Sequence, residues 1–573
     1  MCRPVIPSNS YHAKCVHDVK FFLNGQSVAR ARLGNVAKTS RTEFLCRRYA
    51  VSGVGTAVLG LAGNRAGLAG SQACRRVAPA GVVLEFSGDA MVVRRACTRL
   101  GRLLLVAASA CAFAAEAGAA PLTFTVNSPA DVPDVNPGDG VCETVAANGI
   151  CTLRGAIQES NAHVGADTIV LQPNVTYLLA RVGDDETALN GDLDILDSVT
   201  MTGAGPSTII DGNGGALGER VFTFHRCIRE PYQFNSCATG FVIALMSGLT
   251  IQHGYASNLG GGIYNDASLT LANCVVTANT VNGQNDWGGG IFTEGSLTLI
   301  GSVVSDNVSG SHNAYGGGIF NQGQGMMTID SSTISGNGIS GAPGYGGGIM
   351  SSSSQKTVIK NSTVTGNHAI YGGGIYMSGN NVAVINTTIS GNYSDKDGAG
   401  VFCHVITCGL YNATVAQNQA NADEFGAATG GGVFNESGTI YVANSIIAGN
   451  YVVIPTGGKP IHDPDQCSGT ISSLGNNLLS DIDVDHCTMA GPYNVASLPL
   501  GNLQNNGGPT KTHALPSGSA AINAGNIAGC VDGDGAPIAT DQRGVHRPYG
   551  PYCDVGAFEA SDTIFLNGFE IGV

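Results

Sequence analysis

The chain has 573 residues and a net charge of -14, with only 12% of its residues charged. Its 83 glycines follow no collagen spacing, so the composition excludes both a helical bundle and a triple helix. Residues 1–120 hold 16 Lys+Arg against 5 Asp+Glu, whereas 121–573 hold 12 against 37, and an acidic body of that kind argues against nucleic acid and anionic lipid as partners.

The boundary between the two halves reads as a processing site. Met91 precedes Arg94, Arg95, Arg99 and Arg102, an apolar run over 103–115, and Ala117-Gly118-Ala119, the order of a signal peptide. The apolar run is too short to span a bilayer. Such a signal belongs at the N-terminus of a chain, so 1–90 reads as a gene-model extension or disordered leader and 91–120 as the signal peptide. The mature protein is expected to be secreted, or to sit on the cell surface or outer envelope of a bacterium, with no membrane span. Export permits disulfides. Beyond residue 120, ten of eleven cysteines form close pairs: Cys142/Cys151, Cys227/Cys237, Cys403/Cys408, Cys467/Cys487 and Cys530/Cys553. Without C-x2-C or His spacing they read as staples rather than zinc sites.

The segment Cys151-Thr152-Leu153-Arg154-Gly155-Ala156-Ile157 resembles the CSLREA motif near the N-terminus of exported bacterial β-helix proteins, with Thr for Ser and Gly155 for Glu. Gly191-Asp-Leu-Asp-Ile195 and Ile209-Ile-Asp-Gly212 fit the same family. The residue pattern independently predicts an amphipathic helix near 153–161, then brief strands cut by turns. That helix would cover the first exposed edge of a solenoid, making 121–195 an N-terminal cap.

From residue 260 one phrase recurs. It begins with the glycine triplet at Gly260, Gly288, Gly316, Gly346, Gly372, Gly398 and Gly430 (Ala replacing the middle Gly in the sixth copy), at steps of 28, 28, 30, 26, 26 and 32 residues. A second phrase lies between the triplets: a small residue, an apolar one two places on, and Asn three places later. Its copies end at Asn279, Asn307, Asn337, Asn367, Asn392, Asn418 and Asn450. A period of this size with strand alternation defines a stacked solenoid, and we expect an all-β, right-handed parallel β-helix over 196–480 with two or three short strands per coil. The Asn is expected at a left-handed turn position and in amide ladders along the axis. Cys274 falls in a column otherwise filled by Ser, Thr and Ala, so it reads as a buried free thiol.

The repeat length varies between the turn Asn and the next triplet, so insertions are expected on one side, the usual binding side of a solenoid. Four inserts end in an aromatic: Trp287, Tyr315, Tyr345 and Tyr371. These are the candidate ligand-binding residues. A second column (Tyr264, Phe292, Phe320, Met350, Tyr376, Phe402, Phe434) follows the triplets and suits ring packing. Beyond 480, Gly507-Gly-Pro-Thr510, Asp541-Gln-Arg-Gly544 and Cys553-Asp-Val-Gly-Ala-Phe-Glu559 are similar to the choice-of-anchor Q domain that closes exported β-helix proteins. That places this domain at 481–560, with a tail at 561–573.

Chemistry is sparse. The repeat lacks recurrent carboxylate pairs; the catalytic candidates are Asp286, Asp395, Lys396 and Asp397, with Asp423, Glu424, His312 and His368 on the same corner. Asp481-Ile-Asp483-Val-Asp485 begins like a calcium loop but has His486 where Gly is required. Asp532 with Asp534, and Asp134 with Asp139, are the candidate ligands for a structural Ca2+; no other cofactor is expected. The expected function is a non-catalytic β-helix presenting a loop-lined face to polysaccharide or cell-envelope components. The alternative is a polysaccharide lyase or glycoside hydrolase of the pectin-lyase-like fold.

Overall fold

The computed structural model describes residues 120–560, apart from 184, 217, 228–239, 311–312, 380, 425, 481–485 and 528. The chain divides into units 1–117 and 118–573. In the first, three antiparallel pairings are described: Asp18–Leu23 with Gln26–Arg32, Tyr49–Ala50 with Thr56–Ala57, and Glu85–Ser87 with Ala90–Val92. The rest of the expected leader and signal segment, His312, Asp481 to Asp485 and the tail lie outside the described residues.

Helix α1 (Leu153–Ala162) begins where Thr152 caps it, its hydroxyl accepting the Gly155 N–H at 3.0 Å. Most of the helix is buried, including Arg154 at 1% exposure. The Arg154 guanidinium ion-pairs with Asp131 at 2.5 Å. It also donates to the carbonyls of Ala188, Gly191 and Asp192 at 3.1, 2.8 and 3.2 Å. Strands β1 (Leu193–Ile195) and β2 (Phe222–Phe224) follow and pair in parallel, Asp194 opposite Thr223.

From Gly260 onward each coil repeats one circuit, shown by β3 (Ile263–Asn265), β4 (Ser268–Ala272), β5 (Val275–Thr277) and β6 (Thr280–Val281). Four strands, rather than two or three, make a coil. The extra break falls after Asn265, whose side-chain oxygen accepts the Ala267 N–H at 3.0 Å and turns the chain there. Equivalents of β3 and β4 share a 20-stranded sheet, those of β5 a 12-stranded sheet and those of β6 a 9-stranded sheet. The coils stack in parallel with like residues in register: Ile263 on Ile291, Leu269 on Leu297, Val276 on Val304. The inward side chains form one continuous buried core, each worth roughly 1.5–3 kcal/mol when fully removed from water. The architecture is the expected parallel β-helix with a helical cap.

The turn asparagines form the expected ladder. All seven are buried, and each side-chain amide donates to the next side-chain oxygen at 2.9–3.0 Å from Asn279 to Asn450. The left-handed backbone falls elsewhere, one residue earlier, at Ala278, Asp306, Gly336, Gly366, Gly391, Gln417 and Gly449. The triplets serve this ladder. Their first glycine has a positive φ of 61–72° in every copy. A Cβ on the third would meet the ladder, at 2.8 Å from the Asn279 amide carbon for Gly262 and from that of Asn337 for Gly318. Repeat length also varies at a second turn, after the β3 equivalents, where residues 322–326 and 352–356 replace the two-residue link 266–267.

Disulfides join Cys142–Cys151, Cys403–Cys408, Cys467–Cys487 and Cys530–Cys553. Cys227 is also disulfide-bonded, while Cys237 lies outside the described residues. Cys274 is free and buried, and burial pushes its thiol up to about 11. In protein lacking residues 1–120, which hold six further cysteines, Cys274 is therefore expected to resist thiol reagents at pH 8 and to give one labelled equivalent only after denaturation; prompt native labelling would contradict this placement.

The C-terminal segment does more than close the end. It runs back along the 12-stranded sheet, covering the outward residues Thr363, Thr388 and Thr414. Gln542 is the clamp. Its amide nitrogen donates to the Thr363 and Thr510 hydroxyls (3.0 and 2.9 Å), and its oxygen accepts from Thr388 at 2.6 Å. Asp541 holds the clamp loop by accepting the Arg543, Val545 and Glu559 N–H groups, and the buried Arg547 pairs with Glu559 at 3.2 Å.

Candidate functional site

The variable corner runs from the ladder Asn through the β6 equivalents to the next triplet, and it carries two distinct aromatic features. The first is a spine on the outside of the 20-stranded sheet. Phe292, Phe320, Met350, Tyr376 and Phe402 are buried there beneath half-buried Trp287, Tyr315, Tyr345 and Tyr371. The structure thus brings the four candidate ligand-binding residues into one line, as their spacing implied. Tyr315 stacks on Tyr345 and Tyr345 on Tyr371, both at 5.4 Å between centroids with ring planes within 16°. Trp287 packs edge-on to Phe320 at 5.6 Å. Ring faces in this line are occupied by neighbouring rings, leaving edges toward solvent.

The second feature is the outward row of the 9-stranded sheet, where parallel register aligns Val308, Gly338, His368, Tyr393, Gln419 and Tyr451. Tyr393 is 40% exposed. Tyr451 donates its hydroxyl to the Gln419 side chain at 2.9 Å and stacks on exposed His462 at 4.5 Å. A shallow cavity of about 340 Å³ opens beside it, lined by Asn450, Tyr451, His462, Gln466 and Ser480. Tyr393 and Tyr451 stand two coils apart, roughly 9.6 Å along the axis. Sequence reading missed this row because its members differ in type from coil to coil; the shared signal is their position one residue after the ladder Asn.

Of the catalytic candidates, the structure gathers Asp395, Lys396 and Asp397 on one loop and leaves Asp286 four coils away, roughly 19 Å along the axis. Asp286 is buried and accepts the Gly283 N–H at 2.6 Å, shaping its own loop. Asp395 bonds His368 at 2.9 Å, and this bond holds the imidazole above its ordinary pKa. Asp397 accepts the Thr429 N–H at 2.8 Å, and burial raises its carboxyl. Asp423 adds negative charge near His368.

The candidate calcium ligands already have partners. Asp534 pairs with Lys356 at 2.7 Å, and Asp532 accepts the Asp534 and Ala536 N–H groups. Asp134 accepts N–H groups of Asn136 and Glu143, and Asp139 accepts those of Asn136 (side chain) and Val141. Among the described residues one further group, Glu186, Asp194 and His225, brings metal-ligating atoms within 4.8 Å of one another.

Sequence comparison matches neither a family model nor a curated protein. Among solved structures the chain is similar to the pectate lyase Pel9A at 13% identity and a TM-score of 0.32, over 77% of this chain and 97% of that one. Among the described residues, no helix is long and apolar enough to cross a membrane.

Proposed function

We propose that this protein is an exported, non-catalytic β-helix that binds a linear polysaccharide along its variable corner. The observation that carries the reading is the outward row of Tyr393, Gln419 and Tyr451 with its adjoining cavity. The exposed Tyr393 ring suits the apolar face of a pyranose, and the neighbouring amide and hydroxyl groups of Gln419 and Tyr451 suit sugar hydroxyls. The row follows the solenoid axis, so successive sugars would meet successive coils. The acidic body, 12 Lys+Arg against 37 Asp+Glu over 121–573, favours neutral or basic glycans over polyanions. The disulfides support an oxidising, extracytoplasmic location.

The test is a glycan array and a cell-wall pull-down. Tyr393→Ala with Tyr451→Ala is expected to weaken binding at least tenfold, while Trp287→Ala with Tyr315→Ala changes it less. If the spine variant loses binding and the row variant keeps it, the site belongs to the spine. No binding by the parent protein would sink the reading altogether. A second reading, a polysaccharide lyase or hydrolase, draws on the half-buried, raised Asp397 carboxyl on the same loop as Asp395, which pairs with His368, since acid–base chemistry uses carboxyls of unlike pKa. Release of products from pectin, alginate or related polymers, lost in Asp397→Asn, would replace the binding reading with this one.

A further inference from the structure

We infer that Glu186, Asp194 and His225 form a binding site for a divalent cation of the zinc class, which clips the N-terminal cap to the first coils. His225 Nε2 lies 2.8 Å from Asp194 Oδ1 and 3.5 Å from Glu186 Oε2. A single N–H serves one carboxylate, whatever the charge on the ring. The second carboxylate converges on the same nitrogen with no proton to receive, and Glu186 has no other polar partner among the described residues. A cation in place of that proton would satisfy all three groups.

The geometry is close to what such an ion requires. Ligands about 2.0–2.2 Å from zinc in a tetrahedral arrangement stand roughly 3.4 Å from one another. Of the three separations, His225–Glu186 already has that value, His225–Asp194 needs to open by about half an ångström, and Glu186–Asp194 lies within 4.8 Å. Imidazole with carboxylates suits zinc and its neighbours, whereas Ca2+ takes six or more oxygens that this site does not offer. Glu186 is 35% exposed, which gives an entry path and leaves room for water as the fourth ligand.

The supporting shell is built. Asp194 is 2% exposed, and its second oxygen accepts the Ala188 N–H at 3.1 Å. Asp185, next to Glu186, accepts the N–H groups of Thr187, Leu189 and Asn190 and so fixes the loop carrying that ligand. Arg154 holds the same loop from below through the Ala188, Gly191 and Asp192 carbonyls. Second-shell bonds of this kind hold ligands in place before the metal arrives. Asp211 with His253, paired at 2.9 Å, is an ordinary one-carboxylate pair in the same region and serves as the internal control.

The experiment uses the full chain stripped with EDTA and titrated with ZnCl2, and separately with CaCl2, by calorimetry. Binding of one equivalent of Zn2+ is expected, with a rise in melting temperature that EDTA reverses and no comparable Ca2+ effect. Glu186→Gln, at a half-exposed position that tolerates the change, should weaken Zn2+ at least tenfold; His225→Gln should abolish it; Asp211→Asn should leave it unchanged. Visible absorption of the Co2+ form should show a tetrahedral ligand field that Glu186→Gln alters. Absence of stoichiometric Zn2+ binding, or Zn2+ binding equally tight in Glu186→Gln and His225→Gln, overturns the site. Neither outcome depends on glycan binding.

Discussion

Replacing Arg154 with Ala is expected to destabilise the N-terminal cap by about 3–5 kcal/mol, the scale for stranding one member of a buried ion pair. Arg154 and Asp131 are both almost fully buried at the side chain, 0% and 3% exposed. The substitution leaves the carboxylate without its cation and three loop carbonyls without their shared donor. Lys cannot repair it, because one ammonium lacks the planar fork that reaches Asp131 and the loop together. Arg154→Met with Asp131→Asn removes both charges and should recover part of the loss. Hydrogen exchange would locate the effect: in a solenoid the damage stays near its source, so amides of 131–200 should lose protection while those near the Asn ladder keep it. An Arg154→Ala protein within about 1 kcal/mol of the parent would contradict the hub role.

The ladder predicts a loss of similar size at the middle of the solenoid. Asn337 donates to Asn367 and to the Val304 carbonyl, and it accepts from both the side chain and the backbone N–H of Asn307. Asn337→Ala therefore orphans several buried groups at about 1–3 kcal/mol each, and a total near 4 kcal/mol is expected. Asn337→Asp should be worse, since a carboxylate cannot donate to the Asn367 oxygen or the Val304 carbonyl. Gly318→Ala attacks the same place from the other side, with its Cβ 2.8 Å from the Asn337 amide carbon and 2.6 Å from the Gly348 carbonyl oxygen. Because the two residues touch, Gly318→Ala combined with Asn337→Ala should cost less than the sum of the single changes. Urea titrations followed by circular dichroism would measure all three, and strict additivity would show that the triplet and the ladder are independent.

The parts of this fold that repeat were legible in the sequence, because stacking turns a period into columns. Core, ladder, aromatic spine and helix α1 all follow from spacing and residue type. The left-handed position was assigned one residue late, although Gly in four of the seven preceding positions marked it. What spacing could not give is what parallel register creates between unlike residues. His225 lies 31 positions after Asp194, and only the β1–β2 pairing brings them together. Gln542 reaches Thr363 across 179 positions. The Tyr393–Tyr451 row likewise depends on which strands end up adjacent.

That reach of 179 positions sets an order of events in folding. Coils of the solenoid can close on their predecessors one at a time, each a local step. The Gln542 clamp cannot engage until the hydroxyls of Thr363, Thr388 and Thr510 stand in their final places, and it joins segments far apart in sequence, which makes it slow. The clamp therefore works as a check on completion. A chain with a misregistered coil near 363–388 would present the wrong residues to Gln542, leaving the flank of the 12-stranded sheet open to proteases.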